Sequence, residues 1–333
     1  MKRTLLVGEI GLSHEGSLGT ALSMINACKK ADLDYAKFQF HNPDFESTKD
    51  EVFRVNSFPQ DDSRYNFWKR TSFTEDQWQI IIAYCESVQI KFLCTPFSVW
   101  AAQKLVDLGS TEVKIASGDA NNWELLNFAK QHFSKIFVST GMSTKSELKG
   151  LITFMSDFIG EFIILQCTSS YPVVPKNVGM KFFDEILGIA GKVGLSDHSG
   201  NPFVPIAAIA RFADLIEFHV VYSKDQFGPD STSSLTFDEA KLVSSFRNLW
   251  NDLYDPEYDK DIAASNLIEV RKKFGRGLSL NRDLKEGEIV LEEFFTLKKP
   301  LGPLNWDDRL LLAGKRAKCN ISSNQHVTQS DFE

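Results

Sequence analysis

Short apolar runs alternate with longer amphipathic stretches along most of the chain. The runs are rich in β-branched and aromatic residues, whereas stretches such as Leu18–Ala31 and Thr74–Val88 repeat their apolar positions with the period of a helix. Strands that alternate with helices form parallel sheets that are buried on both faces. The predicted strands are Thr4–Ile10, Tyr35–Gln39, Lys91–Thr95, Glu112–Ala116, Lys135–Ser139, Phe162–Gln166, Lys192–Leu195 and Asp214–His219.

These eight strand–helix units predict an α/β fold. Within about 240 residues they fit a closed (β/α)₈ TIM barrel better than an open doubly wound sheet. No GxGxxG motif follows the first strand, which disfavours a dinucleotide site. From residue 274 onward, short strands and turns replace the alternating pattern. We therefore predict a barrel over residues 1–262, a linker over 263–273 and a small β-rich domain over 274–333.

A polar and aromatic insertion over residues 40–70 follows the second predicted strand. Loops of this length in a compact domain are usually functional or disordered. The aromatic content of this one favours an ordered lid, and we expect Phe40, Phe67 and Trp68 to wall a pocket.

Composition and charge narrow the classes of function. Lys and Arg number 37 against 44 Asp and Glu, a net charge of −7, so the concentrated basic face of a nucleic-acid-binding protein is not expected. No apolar stretch is long enough to span a membrane, and the first residues do not form a signal peptide. The five cysteines are widely spaced and lack a CxxC pair, which is typical of reduced thiols. We expect a cytoplasmic protein without nucleic-acid or membrane partners.

Polar residues cluster at the predicted carboxyl ends of the strands, where TIM barrels carry their active sites. Burying such groups without partners would cost several kcal/mol each, so one common polar pocket accounts for all of them. The residues at these ends include Glu9, Lys37, Gln39, Thr95, Lys114, Ser117, Asp119, Ser139, Ser169, Tyr171, Ser196, Asp197, His198, Glu217 and His219.

His198 and His219 end consecutive predicted strands. Neighbouring strands lie about 4.8 Å apart, so both imidazoles can reach one divalent cation. Two histidines would leave positions open for water and substrate, which suits Lewis-acid catalysis. The alternative is one solvated loop histidine and one core histidine with satisfied hydrogen bonds.

Four charged residues lie within otherwise apolar strands: Glu9, Lys37, Lys114 and Glu217. The lysines, together with Ser117, Ser139, Ser169 and backbone amides, could bind a phosphate or a phospho-carboxylate. They could instead be surface lysines, or one could form a Schiff base. The glutamates could act as acid or base, bind sugar hydroxyls, or form ion pairs with the two lysines.

The motifs in this order resemble the sialic acid synthase family, including its legionaminic and pseudaminic acid synthases. The matching blocks are GEIGLSHEGSLGTA, AKFQFH, CTPFS, VKIASGDANNWELL, STGMST, LQCTSSYP, VGLSDHSG, IEFHV and FGPDSTSSL. The segment from RGLSLNRDL to AGKRAKCNI resembles the antifreeze-like (SAF) domain that closes this family. The resemblance implies condensation of phosphoenolpyruvate with an N-acetylated aldose such as N-acetylmannosamine, with release of phosphate.

The resemblance also implies roles for individual residues. His198 and His219 would hold Mn²⁺ or Mg²⁺ and act in catalysis together with Glu9 and Glu217. Phosphoenolpyruvate would be bound by Lys37, Lys114, Ser117, Ser139, Ser169, Tyr171 and Ser196. The sugar would be bound by Gln39, Thr95, Asp119 and Asp230. The resemblance also implies a domain-swapped homodimer, in which Lys299 of the partner subunit would bind the same sugar.

Three positions depart from the pattern of the family. Asp119 stands where Glu is expected, Ser169 where several relatives have Asn, and Lys299 where an Arg is expected to reach the partner's sugar. Asp119 has a shorter side chain than Glu, and Lys299 cannot form the two parallel hydrogen bonds of an arginine. Both differences would affect which sugar the enzyme accepts. Two other functions remain open: a Schiff-base aldolase that uses pyruvate and Lys114, and a non-catalytic sugar-binding homologue.

Overall fold

Eight parallel strands form the barrel of this protein. Its structure is a computed structural model, which describes residues 3–53 and 60–333. The strands pair in the order β3-β2-β1-β8-β7-β6-β5-β4, and β3 and β4, at the two ends of this order, lie side by side. The strands are β1 Leu5–Gly11, β2 Tyr35–Phe40, β3 Lys91–Pro96, β4 Glu112–Ile115, β5 Lys135–Ser139, β6 Glu161–Cys167, β7 Val193–Asp197 and β8 Leu215–Val221, and a short β9, Leu235–Thr236, pairs with β8.

Helices cover the outer face of the barrel. Side-chain caps start most of them: Thr74, Thr144 and Thr236 each form a capping box that satisfies free backbone N–H groups. The helices of this unit are α1 Leu18–Lys30, α2 Pro43–Glu46, α3 Arg64–Thr71, α4 Glu75–Ser87, α5 Val99–Asp107, α6 Trp123–His132, α7 Lys145–Met155, α8 Met180–Ala190, α9 Phe203–Ile209 and α10 Phe237–Leu253.

The predicted TIM barrel is confirmed, with all eight strands in the predicted places. Several ends differ by one or two residues; for example, β7 ends at Asp197, and β8 continues past His219 to Val221. A strand ends where its hydrogen bonds to the neighbouring strands end. The pattern of apolar and polar residues does not show where that is. Both histidines of the predicted pair nevertheless stay at the carboxyl end of the barrel.

The interior of the barrel is layered. An apolar layer fills its middle, formed by Val7, Tyr35, Leu93, Phe137, Ile163, Leu165 and Leu215. Side chains of a strand alternate between its two faces, so the residue two positions later points inward again, one layer nearer the carboxyl end. In five strands that next residue is polar: Glu9, Lys37, Thr95, Ser139 and Glu217. The polar pocket therefore lies directly above the apolar layer.

The predicted insertion is folded where the structure describes it, into α2 and α3; residues 54–59 lie outside the described residues. Phe67 and Trp68 wall the cavity described below, as expected. The expectation for Phe40 is wrong. Its side chain leaves the outer face of β2 and stacks on Trp78 of α4, with ring centroids 4.8 Å apart, because Lys37 and Gln39 occupy the inward positions of the strand.

A second compact unit covers Asp255–Glu333, whereas the predicted barrel ends at 262. Two helices, α11 Lys260–Asn266 and α12 Ile268–Phe274, include the predicted linker, residues 263–273. They precede the antiparallel strands β10 Gly277–Leu280 and β11 Phe295–Lys298 and the helix α13 Arg309–Leu312. The core of this unit contains Leu278, Val290, Ile321 and Val327.

Over residues 3–53 and 60–333, no helix is both long enough and apolar enough to cross a membrane. All five cysteines carry free thiols; Cys28, Cys85, Cys94 and Cys167 are buried and Cys319 is exposed.

Candidate active site

A cavity of about 900 Å³ opens at the carboxyl end of the barrel. The structure brings fifteen of the predicted site residues to its wall: Glu9, Lys37, Gln39, Thr95, Lys114, Ser117, Asp119, Ser139, Ser169, Tyr171, Ser196, His198, Glu217, His219 and Asp230. Lys299 belongs to the second compact unit, where its Nζ lies 5.3 Å from the ring centroid of Phe274. The individual roles assigned to these residues stay predictions.

Opposite charges alternate along the floor of the cavity. Lys37 Nζ lies 2.7 Å from Glu9 Oε2 and 3.6 Å from Glu217 Oε1, and Lys114 Nζ lies 3.9 Å from Glu217 Oε1. The four side chains are almost completely buried, so neither lysine is a surface residue. The predicted ion pairs between these glutamates and lysines are therefore present. They lie at the floor of a cavity that can also admit an anion.

The two lysines differ in how well their charge is compensated. Burial alone would lower the pKa of Lys37, but the carboxylates of Glu217 and Glu9 outweigh it and raise this pKa above its ordinary value. Burial lowers the pKa of Lys114, and Glu217 only partly offsets that effect. Burial alone would raise the pKa of Glu217, but both lysines hold it well below its usual range. Lys114 is consequently the cation that gains most from an anionic ligand.

Buried hydroxyl groups surround Gly141 beside Lys114. Ser117 Oγ accepts a hydrogen bond from the Gly141 backbone N–H at 3.0 Å and lies 3.5 Å from Cys167 Sγ. Among the described residues, Ser139 Oγ, Ser169 Oγ and Thr95 Oγ1 have no hydrogen-bond partner although they are buried. An unsatisfied buried hydroxyl costs about 1–3 kcal/mol, so these groups favour a ligand rich in oxygen. We call Ser117, Ser139, Gly141 and Ser169 the hydroxyl cradle.

The two predicted metal ligands lie side by side. The ring centroids of His198 and His219 are 5.4 Å apart, and the Tyr171 ring lies 4.1 Å from that of His198. Both histidines are buried, which excludes the predicted alternative of a solvated loop histidine. Asp197, the predicted acidic neighbour, turns away instead: its carboxylate accepts hydrogen bonds from the Ser199 N–H and hydroxyl at 3.1 and 2.7 Å.

The histidines fit a divalent cation. Burial, reinforced by His219, lowers the pKa of His198 to about 3, so its imidazole is neutral. His198 Nδ1 lies 3.2 Å from the Thr168 carbonyl oxygen, to which it can only donate; Nε2 therefore carries the free lone pair. His219 Nδ1 has no hydrogen-bond partner among the described residues and lies 3.8 Å from Asp230 Oδ2. Over residues 3–53 and 60–333, no group of three or more His, Cys, Asp or Glu is arranged to hold a metal ion.

The outer wall comes from the insertion and from the turn that follows β4. Phe67, Trp68 and Arg64 contribute from α3, and the Arg64 guanidinium pairs with Glu51 at 2.8 Å. Asp119 accepts a hydrogen bond from Asn122 Nδ2 at 2.9 Å, while burial raises the pKa of its carboxyl. Aromatic faces beside carboxylates suit a sugar, whose C–H face and hydroxyl groups they can both contact.

Sequence reasoning overlooked several residues of this wall, among them His41 and Glu46. His41 Nδ1 lies 2.7 Å from Glu46 Oε1, and His41 Nε2 lies 3.0 Å from Gln39 Oε1. A signal for His41 was present, because Lys37, Gln39 and His41 are spaced by two and so share the inward face of β2 and its extension. No comparable pattern marked Glu46, which the turn into α2 brings back to His41.

Several known proteins resemble this chain. The model of the NeuB family matches residues 24–257. A pseudaminic acid synthase of Campylobacter jejuni is 30% identical over 99% of this chain and 97% of its own length. An N,N'-diacetyllegionaminic acid synthase of Legionella pneumophila is 26% identical, covering 98% of this chain and 94% of its own.

A solved structure resembles the fold closely. The N-acetylneuraminic acid synthetase of Leptospira borgpetersenii superposes with a TM-score of 0.70 at 26% identity, over 82% of this chain and 93% of its own. The predicted resemblance to the sialic acid synthases is thus confirmed, as is the prediction of an enzyme of the synthase type. The family model covers most of the chain and the relatives match nearly all of it, so the chain belongs to the NeuB family.

Proposed function

We propose that this enzyme is a nonulosonic acid synthase that condenses phosphoenolpyruvate with an N-acetylated amino-sugar aldose and releases phosphate. One observation carries the proposal: Lys114, the three serines of the hydroxyl cradle and the histidine pair line one cavity with an aromatic and acidic outer wall. An anion with several oxygens fits the cradle, a carbonyl oxygen fits the histidine pair, and sugar hydroxyls fit the outer wall. The relatives named as synthases of related acids support the same reaction class.

The reaction balances without a redox partner. The methylene carbon of the enol attacks the aldehyde carbon of the open-chain sugar, water adds to the former enol carbon, and the carbon–oxygen bond to phosphate breaks. Lys114, Lys37 and the cradle would hold the phosphate and carboxylate of phosphoenolpyruvate. Gln39, Thr95, Asp119 and Asp230 would orient the sugar, and the Phe67 and Trp68 walls would keep bulk water from the enol.

The proposed cofactor is Mn²⁺ or Mg²⁺, held by His198 and His219. When bound, it would supply Lewis-acid polarisation of the sugar carbonyl oxygen. Glu9 and Glu217 line the same cavity and would be the acid and base groups of the reaction.

The direct test is a phosphate-release assay with phosphoenolpyruvate and a panel of hexosamines, with and without Mn²⁺. We expect turnover with an N-acetylated aldose, loss of turnover after treatment with a chelator, and recovery when metal is restored. The panel should include N-acetylmannosamine and deoxy-diacetamido hexoses. Absence of phosphate release with every acceptor and both metals would overturn the proposal.

A pyruvate-dependent aldolase is the second candidate, because burial lowers the pKa of Lys114 and Schiff-base lysines share this property. Borohydride added with pyruvate would trap an adduct on Lys114 in such an enzyme. The synthase should form none, since the buried carboxylate of Glu217 favours the charged ammonium.

Gly141→Ala should block the cradle. A Cβ at this position would lie 2.4 Å from Ser169 Oγ, 2.7 Å from Cys167 Sγ and 3.0 Å from Ser117 Oγ. We expect kcat/KM for phosphoenolpyruvate to fall about 100-fold, the cost of displacing groups that position a reactant by about 1 Å. Steady-state kinetics would measure the loss.

Gly150→Ala is the matched control, because a Cβ at Gly150 in α7 meets no atom within 4 Å. Alanine should leave the kinetics unchanged and stabilise the helix by roughly 0.5–1 kcal/mol. Equal kinetics of Gly141→Ala and the wild type would contradict the cradle.

We further propose that the enzyme works as a homodimer in which Lys299 serves the partner's cavity. This rests on the family resemblance, and the 59% and 64% exposure of Leu310 and Leu311 in the second unit supports association. Mixing His198→Ala and Lys299→Ala chains should restore activity, because one site of the mixed dimer then combines an intact barrel with an intact Lys299. Stable mixed dimers without recovery would contradict the exchange.

A further inference from the structure

A chain of hydrogen bonds joins the floor of the cavity to the segment that follows β2. Gln39 Nε2 donates to Glu9 Oε1 at 2.7 Å, and Gln39 Oε1 lies 3.0 Å from His41 Nε2. His41 Nδ1 lies 2.7 Å from Glu46 Oε1. Glu9 also pairs with Lys37 at 2.7 Å through its other oxygen, so the chain ends at the buried charges of the floor.

With the carboxylates of Glu9 and Glu46 both ionised, one arrangement of protons satisfies all of these contacts. An ionised carboxylate can only accept hydrogen bonds, and Glu9 has Lys37 as its cationic partner. Gln39 must then turn its NH₂ group to Glu9 and its carbonyl oxygen to His41. Both ring nitrogens of His41 therefore donate, one to Gln39 and one to Glu46, and a ring that donates twice is an imidazolium cation.

The surroundings of His41 suit a buried cation. The ring is stacked between Phe97 and Trp68, with centroids 4.3 and 5.0 Å away and interplanar angles of 12° and 13°. The side chains of His41 and Glu46 are 4% and 3% exposed. Glu46 Oε2 accepts from the Asn42 backbone N–H at 3.1 Å. Aromatic faces, a paired carboxylate and satisfied hydrogen bonds are the conditions under which such a charge is stable.

The proton on His41 Nε2 determines how the amide of Gln39 is oriented. If Nε2 lost its proton, its lone pair would face the carbonyl oxygen of Gln39, and two acceptors repel each other. The amide would then turn over and bring its oxygen against Glu9. Glu9 would lose a donor and face an acceptor, which would displace its carboxylate from the pair with Lys37.

We propose that His41, held by Glu46, is a positioning residue for the condensation. It keeps the Gln39 amide in the single orientation that gives Glu9 Oε1 an N–H donor while Glu9 Oε2 stays paired with Lys37. The inference rests on the proposed function, since its kinetic effect concerns that reaction. His41 and Glu46, at the start of the insertion, thus act through Gln39 on Glu9 and Lys37 at the floor of the cavity.

A double-mutant cycle tests this role. His41→Phe keeps an aromatic ring for stacking on Trp68 and Phe97 but removes both donors. We expect kcat to fall at least about tenfold, while KM for phosphoenolpyruvate changes little because Lys114 and the cradle remain. His41 acts through Gln39, so the double variant Gln39→Ala/His41→Phe should be no slower than Gln39→Ala alone. Losses that multiply would show a merely structural role and overturn the proposal.

Ser72→Ala is the control for local packing. The Ser72 hydroxyl lies 3.1 Å from the carbonyl oxygen of His41 and takes no part in the chain of hydrogen bonds. This variant should keep the kcat and KM of the wild type. A loss equal to that of His41→Phe would show that any disturbance of this segment slows the enzyme, and would contradict the proposal.

The protonation of the ring provides a readout that does not depend on activity. In ¹⁵N-labelled enzyme, NMR of the histidine rings should show two protonated nitrogens on His41, with signals that are absent from His41→Phe. A ring without a proton on Nε2 would overturn the positioning role even in a fully active enzyme. A doubly protonated ring in a protein that releases no phosphate from phosphoenolpyruvate would overturn the proposed function instead.

Discussion

His219→Ala is expected to lower metal-dependent kcat by about 10²–10⁴, because Lewis-acid assistance is worth several kcal/mol and each 1.36 kcal/mol is tenfold in rate. His219 lies at the carboxyl end of β8, next in register to Glu9, and its Nδ1 has no hydrogen-bond partner among the described residues. The loss should appear both in phosphate release and in Mn²⁺ affinity measured by calorimetry. Added Mn²⁺ should not restore the wild-type rate.

His132→Ala is the matched control for this prediction. His132 lies at the exposed end of α6, where its ring stacks on Phe128 4.1 Å away. Its removal should leave metal affinity and turnover unchanged. A His219→Ala enzyme that binds Mn²⁺ as tightly as the wild type and turns over normally would remove the histidine pair from the proposed metal site.

Lys114→Met should cause the second large loss, in the use of phosphoenolpyruvate. Methionine keeps the buried stem and removes the charge. A charge-assisted hydrogen bond in a buried site contributes about 1.5–3 kcal/mol, so kcat/KM for phosphoenolpyruvate should fall about 10–150-fold. The KM for the sugar should change much less, because the sugar is assigned to the outer wall. Steady-state kinetics with each substrate varied in turn would separate the two effects.

Lys91→Met tests whether any strand lysine has this effect. Lys91 begins β3 at the opposite end of the barrel and pairs with Glu112 at 3.2 Å, with 62% of its side chain exposed. Such a surface pair contributes little, and the variant should behave as the wild type. An unchanged kcat/KM for phosphoenolpyruvate in Lys114→Met would contradict an anion site at Lys114.

Much of the candidate site follows from local pattern. Lys37 could be assigned to the pocket because it lies two residues beyond Tyr35 in an apolar strand, and Glu9 lies likewise two residues beyond Val7. Strand periodicity fixes which face a side chain leaves, and the barrel fixes which end of the strand is open. The expectation for Phe40 failed for the same physical reason, since it was made without regard to the face that residue occupies.

Asp197 shows what local pattern could not decide. Like other site residues, it lies at the carboxyl end of an apolar strand. Its carboxylate nevertheless accepts hydrogen bonds from the backbone N–H and the hydroxyl of Ser199. The competition between a local turn and the cavity depends on backbone angles that no short motif contains. Glu46 is the opposite case, an ordinary polar residue of an insertion that a four-residue helix returns to His41.

The sequence by itself determined the class of the fold, the number and order of the barrel strands, and the end of the barrel at which chemistry occurs. These properties depend on the spacing of apolar and polar residues, which the chain carries locally. Only the tertiary structure decided which charges pair on the floor, which hydroxyls stay without partners, and how His41, Gln39 and Glu9 are linked. Those contacts join residues distant in sequence or brought round by a turn, and their strength depends on burial and on distances of a few ångströms.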